Sequence, residues 1–566
     1  MARSDASFIY YYQTELAYYR ELAQEFGAAH PEVAHLVAER GGDGAADRMF
    51  QGAALLTARL RQRVEDDFPE IIHPLFDQLW PQFLRPVPAV TLLRFTPLPN
   101  ALRQSQPIPA GTEVRSAPVA GTQVQCPFRT CSRLWLHPLE LSEATLERPV
   151  ASDLQVRLRF KVTGGARLGG LSLPPLRLQL LGEPRTKLTL YAWLAHEARG
   201  VSLRSPAGQT LLRLPRGAIR AVGFEPEEAL CPVQPTPRGG LHLLQEYFVF
   251  LDKFLAVEVS GLDRLPEETE LQELDLVFHL GPLEEGGLRV DDSCFSLGCV
   301  PAINLSDSQR VDVRVSADRR RYRLELPHQG EVFEVEQVRA YDARRGDWVE
   351  YPRVHDAQVI DPDLPCHLVT RAADVVEGVE TYVEVVDTEG EPVAAPAEML
   401  QVVYTETSGP LATRLGAGEV DRPSPSSPEF ATFTNLTPVN VGLPVGLARE
   451  RFWRLLAKLN MHSSELFRHE GLELLIDEAE GGRSGVGPDI LQMRVETSSR
   501  LVQQMVAPMR QVELELADTS FSCPGQMFLF ASVLSRVLAR PPGSTVFNQL
   551  TVVGRPSGLV YRFPPT

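Results

Sequence analysis

The spacing of apolar residues changes along the chain. In residues 1–86 apolar side chains recur every three to four positions, which predicts helices. Residues 87–410 hold short alternating runs separated by Pro and Gly, which predict strands. Residues 411–566 mix both periods around a Pro- and Ser-rich linker or exposed loop at 421–428. The pattern predicts a multidomain α+β fold with an N-terminal helical region, β-rich sandwich-like middle domains and an α+β C-terminal domain.

Individual segments of the sequence support these predictions. Strict alternation of apolar and polar residues predicts strands, and apolar residues spaced three and four positions apart predict helices. The predicted strands are 154–162, 187–191, 256–259, 311–315 and 511–516, and the predicted C-terminal helices are 447–467 and 527–538.

The first predicted helix is rich in tyrosine. Tyr12 and Tyr19 belong to an apolar stripe along it, and Tyr11 and Tyr18 lie beside that stripe. A helix that is apolar over so much of its girth needs cover on more than one side, from its own domain or from another subunit. Packing within the chain explains some of these rings, but aromatic residues also supply much interface energy. Tyr11, Tyr12, Tyr18 and Tyr19 are therefore candidate interface residues.

Composition narrows the classes of function. Acidic residues number 73 against 56 basic ones, a net charge of −17, which argues against a nucleic-acid-binding protein with a basic face. Seven unclustered cysteines favour a reducing compartment over a disulfide framework. The sequence shows neither an apolar signal core nor an apolar run of about 18 residues, so we expect a cytoplasmic protein without direct membrane insertion.

Two carboxylates in the segment 239–254 could suggest a glycosidase pair. Between Glu246 and Asp252, however, lie Tyr247 and other packing residues, which favours a structural role. We expect Glu246, Tyr247, Asp252 and Lys253 to be structural anchors, because buried charges need partners. No catalytic residue is predicted.

Metal and cofactor sites are not predicted either. The His and Cys spacings lack a closed four-ligand pattern. The glycine-rich stretch 481–487 lacks the Gly-Lys-Ser/Thr ending of a phosphate-binding loop.

Several segments form an ordered set. Residues 239–254 read GGLHLLQEYFVFLDKF, residues 295–305 read FSLGCVPAINL, and residues 66–88 contain DDFPE and WPQFLRPVP. Similar short segments lie at 126–130, 221–224 and 528–534. Nearly end to end, the chain resembles the TssF family, a baseplate subunit of the bacterial type VI secretion system. Within the second segment, the resemblance adds Pro301 and Asn304 to the candidate structural anchors.

The resemblance implies a structural, non-enzymatic subunit with an N-terminal assembly region and wing-like middle domains. Such a subunit assembles with TssG into a wedge, contacts TssK, TssE and the VgrG spike hub, pairs with a second copy of itself and supports the contractile sheath. It would reach the cytoplasmic side of the inner membrane through the assembled baseplate. Two alternatives remain. One is a wedge protein of a phage tail or an extracellular contractile injection particle. The other is a β-rich carbohydrate-active enzyme, which would need two convergent carboxylates with displaced pKa.

Overall fold

A computed structural model describes most of the chain after residue 83 and short helical stretches before it. The described residues are 12–13, 15–16, 19–20, 48–49, 51–59, 76, 84–150, 153–166, 171, 173–232, 240–265, 271–283, 287–316, 319–326, 330–342, 346–354, 365–374, 378–393, 397–443, 445, 467–481, 487–502, 505–540 and 546–565. Helix and strand are mixed and strand predominates, in agreement with the predicted α+β fold. None of the helices in these ranges combines the length and apolarity needed to cross a lipid bilayer.

The described elements follow in chain order. The first group is β1 (Val90–Pro97), β2 (Gln106–Ile108), β3 (Glu113–Arg115), β4 (Pro127–Thr130), β5 (Leu134–Leu136), β6 (Leu139–Val150), β7 (Asp153–Val162), β8 (Leu176–Leu180), α1 (Pro184–Ala192), β9 (Gly200–Arg204), β10 (Thr210–Pro215), β11 (Ile219–Ala221), α2 (Leu241–Val249), β12 (Ala256–Val259), β13 (Glu273–Gly281), β14 (Phe295–Ser296) and β15 (Cys299–Ile303). The second group is β16 (Gln309–Arg314), β17 (Arg321–Arg323), β18 (Glu331–Asp342), β19 (Asp347–Tyr351), β20 (Cys366–Asp374), β21 (Gly378–Val386), β22 (Met399–Thr407), β23 (Arg422–Pro423), β24 (Ala431–Asn435), α3 (His469–Ala479), β25 (Ile490–Val502), β26 (Met505–Ala517), α4 (Pro524–Val537), β27 (Phe547–Arg555) and β28 (Val560–Arg562).

A six-stranded sheet in the order β23-β3-β4-β15-β1-β24 joins distant parts of the chain. Its strand β1 pairs antiparallel with β15 on one side and with β24 on the other. Beside these strands, the Thr91 hydroxyl donates to the Thr437 carbonyl at 2.8 Å. The segment 422–435 therefore completes a sheet that begins at residue 90, and the Pro- and Ser-rich stretch forms a mostly exposed turn beside β3.

Among the described residues, the largest core lies between three sheets and four helices. Two of the sheets have the orders β10-β9-β13-β7-β6 and β11-β12-β8-β14, the third is the C-terminal sheet, and α1, α2, α3 and α4 pack into the same apolar cluster. The strands predicted at 154–162 and 256–259 are confirmed as β7 and β12.

The strand predicted at 187–191 is wrong, because these residues belong to α1. Five alternating residues fit either structure when taken alone. Pro184 presets the first turn of a helix, and Leu188, Leu190 and Tyr191 are buried in that helical conformation.

Residues 309–407 form a module with its own core. One sheet has the order β16-β22-β18-β19 and the other β17-β21-β20. Val338 and Val402 of the first sheet share an apolar cluster with Val383 and Val385 of the second. The two sheets of this module thus share one core, and the strand predicted at 311–315 corresponds to β16.

The C-terminal sheet has the order β25-β26-β27-β28. Strands β26 and β27 run parallel, and α4 forms the connection between them. Val512, Leu514 and Val552 are buried on the face that joins the α4 cluster. The strand predicted at 511–516 and the helix predicted at 527–538 are confirmed, whereas residues 447–466 of the other predicted helix lie outside the described residues.

Candidate functional site: a buried ion pair at the helix junction

Helix α2, which carries the GGLHLLQEYFVF segment, packs directly on α4. Its N-terminal neighbour Gly240 has φ +117°, and a Cβ there would lie 2.9 Å from the carbonyl oxygen of Arg536. Only glycine accepts both this backbone conformation and this approach. Further along, the ring centroid of Tyr247 lies 5.3 Å from that of Phe530. Tyr247 thus joins the middle of the chain to its C-terminal helix, and burial raises the pKa of its hydroxyl.

Glu246 and Lys253 form an ion pair inside this junction. The exposed fractions are 5% for Glu246 and 2% for Lys253. Lys253 Nζ donates to Glu246 Oε2, and the backbone N–H of Leu230 donates to Glu246 Oε1 at 2.6 Å. Each carboxylate oxygen therefore has a donor, which a buried charge requires. The pair fixes the turn after α2 against the segment around Leu230.

Other polar contacts close the end of α2. Asn440 Nδ2 donates to the carbonyl of Val249, and Asn440 Oδ1 accepts from the N–H of Val90 at 2.7 Å. One side chain thus connects the last turn of the helix to β1. Asp252, in the short turn Leu251–Phe254, forms an ion pair with Lys187 of α1.

The titratable neighbours of the ion pair lie in an apolar environment. Burial raises the pKa of the Cys231 thiol to about 12 and raises that of Cys131 as well. Burial also lowers the pKa of His242. These directions all disfavour the charged form, as a medium of low dielectric constant does. In such a medium Glu246 and Lys253 depend on each other.

Pro301 and Asn304 lie in and just after β15. Pro301 stands opposite Leu92 of β1, and its carbonyl accepts from the N–H of Cys131 at 2.9 Å. Asn304 Nδ2 donates to the carbonyl of Pro127 at 2.7 Å, and its Oδ1 accepts from the N–H of Ser408 at 2.7 Å. Asn304 thereby connects the six-stranded sheet to the end of β22, where the 309–407 module returns.

A second ionic network lies beside the junction, and sequence reasoning missed it. Arg177 Nη2 is 2.8 Å from Glu258 Oε1, and Arg220 Nη2 is 2.7 Å from Glu228 Oε1. Burial opposes ionisation of Glu228, but the hydrogen bond and charge of Arg220 hold its pKa below the usual value.

The segment 221–224 was the signal that could have located this network. Glu228 accepts from the N–H of Gly223 at 2.7 Å. A Cβ on Gly223, which has φ +99°, would lie 3.0 Å from the carbonyl of Lys253. This segment is one of those that resemble the TssF family, but the sequence alone does not show that it contacts the turn after α2.

Of the four candidate interface tyrosines near the N-terminus, the structure describes two. Tyr12 and Tyr19 are half-buried, and the Tyr19 hydroxyl lies 2.9 Å from Thr57 Oγ1 of the helical stretch 51–59. Tyr11 and Tyr18 lie outside the described residues. Along the stretches 48–49 and 51–59 the buried side chains are Ala54 and Ala58.

Large apolar side chains on these same stretches face outward. Met49 is 74% exposed and Leu56 is 66% exposed. Because they are seven residues apart, they share one face of the helix. Isolated exposed apolar residues are common, but two on one helical face offer a contact surface.

The carboxylates of the junction are engaged in ion pairs. Glu246 pairs with Lys253, and Asp252 pairs with Lys187. Among the described residues, no three His, Cys, Asp or Glu side chains are grouped to hold a metal ion. The candidate anchors Glu246, Tyr247, Asp252, Lys253, Pro301 and Asn304 all lie where segments from different sheets or helices meet.

Sequence comparison decides the family. The family model described as "Type VI secretion system, TssF" matches residues 4–566. The chain belongs to the TssF family. The resemblance drawn from the ordered segments is thus confirmed. A curated member, type VI secretion system component TssF1 of Pseudomonas aeruginosa strain PAO1, is 29% identical over 620 residues, covering 98% of this chain and 97% of that protein.

Solved structures share the fold of this TssF family member. One, from a TssK–TssF–TssG baseplate subcomplex of the type VI secretion system determined by cryo-electron microscopy, has a TM-score of 0.78 and 24% identity over 92% of this chain and 98% of that chain. Another, from the type VI secretion baseplate complex, has a TM-score of 0.60 and 23% identity over 99% of both chains. At these identities the likeness establishes the fold.

Proposed function

We propose that this chain is a structural wedge subunit of a type VI secretion baseplate and has no enzymatic activity. The observation that carries the proposal is the family match over residues 4–566. The shared fold with a chain of the TssK–TssF–TssG subcomplex supports it. The chain would assemble with TssG, contact TssK, TssE and the VgrG hub, and meet a second copy of itself. Through the baseplate it would reach the cytoplasmic side of the inner membrane.

The proposal assigns different tasks to the regions 1–86, 87–410 and 411–566 of the chain. The N-terminal region would bind the TssG-like partner through Tyr11, Tyr12, Tyr18 and Tyr19 together with the face of Met49 and Leu56. The buried junction around Glu246 would keep the remaining parts in a fixed orientation. A wedge needs both properties, because its partners must be held at defined angles in a closed ring.

Partner capture tests the N-terminal contact. We expect Leu56→Asp to abolish co-purification of the TssG-like protein with the tagged chain, because it places a charge on an exposed apolar face. Leu559→Asp is the matched control, since Leu559 is 38% exposed near the opposite end of the chain. Normal capture by Leu56→Asp would contradict the proposed contact surface.

Paired aromatic substitutions test the tyrosines in the cell. Tyr11→Ala with Tyr18→Ala should reduce the number of fluorescent sheaths while the melting curve stays near that of the parent. Loss of two interface aromatic residues costs on the order of 2–4 kcal/mol each when both dominate an interface. Normal sheath counts would refute the interface role, and a collapsed melting curve would assign both rings to the core.

The absence of enzymatic activity is tested by substitution of the two carboxylates. Glu246→Gln and Asp252→Asn should lower stability or assembly without removing any activity. Hydrolysis of a polysaccharide by the purified chain, lost in either variant, would contradict the structural assignment.

A further inference from the structure

Within the described residues, the C-terminal sheet has a long edge without a pairing strand. In the described part of the chain, β25 pairs with β26 and lies at the end of the sheet. After a bulge between Ile490 and Gln492, its pairing continues without a break to Val502. The outer N–H and C=O groups of such an edge are a template for another strand.

Side chains of β25 alternate between the two faces of this sheet. Val495 pairs with the buried Val512 and lies on the face toward the α4 cluster, yet it remains 37% exposed. Arg494 pairs with Glu513 and lies on the opposite face, as does Glu496. The edge therefore has an apolar rim on one face and two opposite charges, two residues apart, on the other.

This pattern is self-complementary. A two-fold axis perpendicular to the sheet, midway between two facing Val495 residues, sets β25 antiparallel to β25 of a second copy. Arg494 of each copy then lies opposite Glu496 of the other, and the two Val495 side chains meet on the apolar face. Opposite charges directly across an antiparallel pair stabilise it, whereas like charges destabilise it.

We infer that β25 is the surface through which a second copy of this chain binds, joining two C-terminal sheets edge to edge. The inference rests on the second copy in the proposed baseplate role and names its contact surface. Such an interface is isologous, with the same residues on both sides. Backbone hydrogen bonds hold the strands together, and the Arg494–Glu496 pairs set the register.

Strand β16 provides an internal comparison. It carries Arg310 and Asp312 at the same spacing and lies at the edge of its own sheet. It has 6 residues, against 13 in β25, so it offers far fewer backbone hydrogen bonds. Changes in β16 are therefore matched controls for changes in β25.

Cross-linking of the full-length chain tests the geometry. Val495→Cys places one thiol on each side of the two-fold axis, where facing Cβ atoms lie about 5 Å apart, within reach of a short bis-maleimide. The seven natural thiols are buried or half-buried in the structure. We expect a covalent dimer from Val495→Cys and none from Val311→Cys or the parent chain. A monomeric Val495→Cys chain that still captures the TssG-like partner would overturn the inference and leave the baseplate role intact.

Charge exchange supplies an independent test by sedimentation velocity. Glu496→Arg alone, or Arg494→Glu alone, places like charges across both pairs and should weaken self-association by about tenfold or more. A mixture of the two variants restores opposite charges and should associate as tightly as the parent. Arg310→Glu and Asp312→Arg should have no effect. A mixture that associates no better than its components would overturn the inference.

Discussion

Charged residues serve two regions of this molecule in opposite ways. At the junction below α2, Glu246 and Lys253 are almost fully buried, and both carboxylate oxygens accept hydrogen bonds. On the open edge, the Arg494 side chain is 60% exposed and lies 3.8 Å from Glu513. A buried pair is costly to break, whereas an exposed pair is worth little in the monomer. Interior charges therefore fix the geometry of the fold, and edge charges remain available to choose a partner.

Removal of the lysine from the buried pair should have the largest effect. Lys253→Met leaves the Glu246 carboxylate without its counter-charge, and we expect the free energy of unfolding to fall by about 3–5 kcal/mol. Urea unfolding followed by tryptophan fluorescence measures the change.

The matched control for this substitution is Lys161→Met, because the Lys161 side chain is 54% exposed and lies 4.0 Å from Glu273. We expect a change within about 0.5 kcal/mol. Equal losses in the two variants would contradict the distinction between buried and exposed charges.

The close approach of α2 to α4 predicts the next largest effect. Gly240→Ala must hold φ +117° and bring a Cβ to 2.9 Å from the Arg536 carbonyl, so we expect a loss of about 3 kcal/mol. Gly208→Ala has φ +86° but open space around the new Cβ, so about 1 kcal/mol is expected there. Thermal unfolding of both variants separates the backbone strain from the contact. A smaller loss at Gly240 than at Gly208 would show that the helices separate freely.

A buried histidine predicts a pH dependence of the interior. His137 is 5% exposed, its Nδ1 lies 2.9 Å from Ser105 Oγ, and burial lowers its pKa to about 4. Since the unfolded chain binds the proton near pH 6.5 and the folded chain near pH 4, stability is full above pH 6.5 and is lost as the pH falls between these values. From pH 7 to pH 5 the loss is about 2 kcal/mol.

The variant His137→Gln should lack this part of the acid sensitivity. Unfolding free energies of parent and variant at pH 7 and pH 5 give the comparison. Parallel losses in the two chains would mean that other groups govern the acid response.

The hydrogen bonds of Asn440 predict the smallest effect. Asn440→Ala removes both hydrogen bonds of a half-buried side chain without adding a charge, so we expect a loss of about 1–2 kcal/mol. Hydrogen exchange of the last turn of α2 measures the local opening. Unchanged exchange would show that this cap is dispensable.

Sequence reasoning predicted what depends on neighbouring residues. The alternation in β7 and β12 and the helical spacing of α4 predicted these elements, because their side-chain period matches the face they bury. The run 187–191 led to a wrong strand prediction, because five residues fit the period of a strand as well as that of a helix. The packing of α1 decides in favour of the helix.

The contacts of the buried junction join residues that are far apart in the sequence, so most of them could not be predicted from it. The charges of Glu246 and Lys253 are seven residues apart, so their pairing was within reach of local reasoning. Asn440 is separated from Val249 by 191 residues, and no local pattern connects them. The outward position of Met49 and Leu56 was equally hidden, because the same apolar spacing serves a core and a contact surface.

The position of β1 inside the six-stranded sheet has a consequence for synthesis on the ribosome. Its residue Thr91 bonds Thr437, 346 residues later in the chain. At 5–20 residues per second, roughly 20 to 70 s pass before that partner emerges. During this interval the apolar segment of β1 has no β24 to pair with. Unpaired strand edges promote aggregation. We therefore expect nascent chains stalled before residue 431 to bind a chaperone more strongly than completed ones.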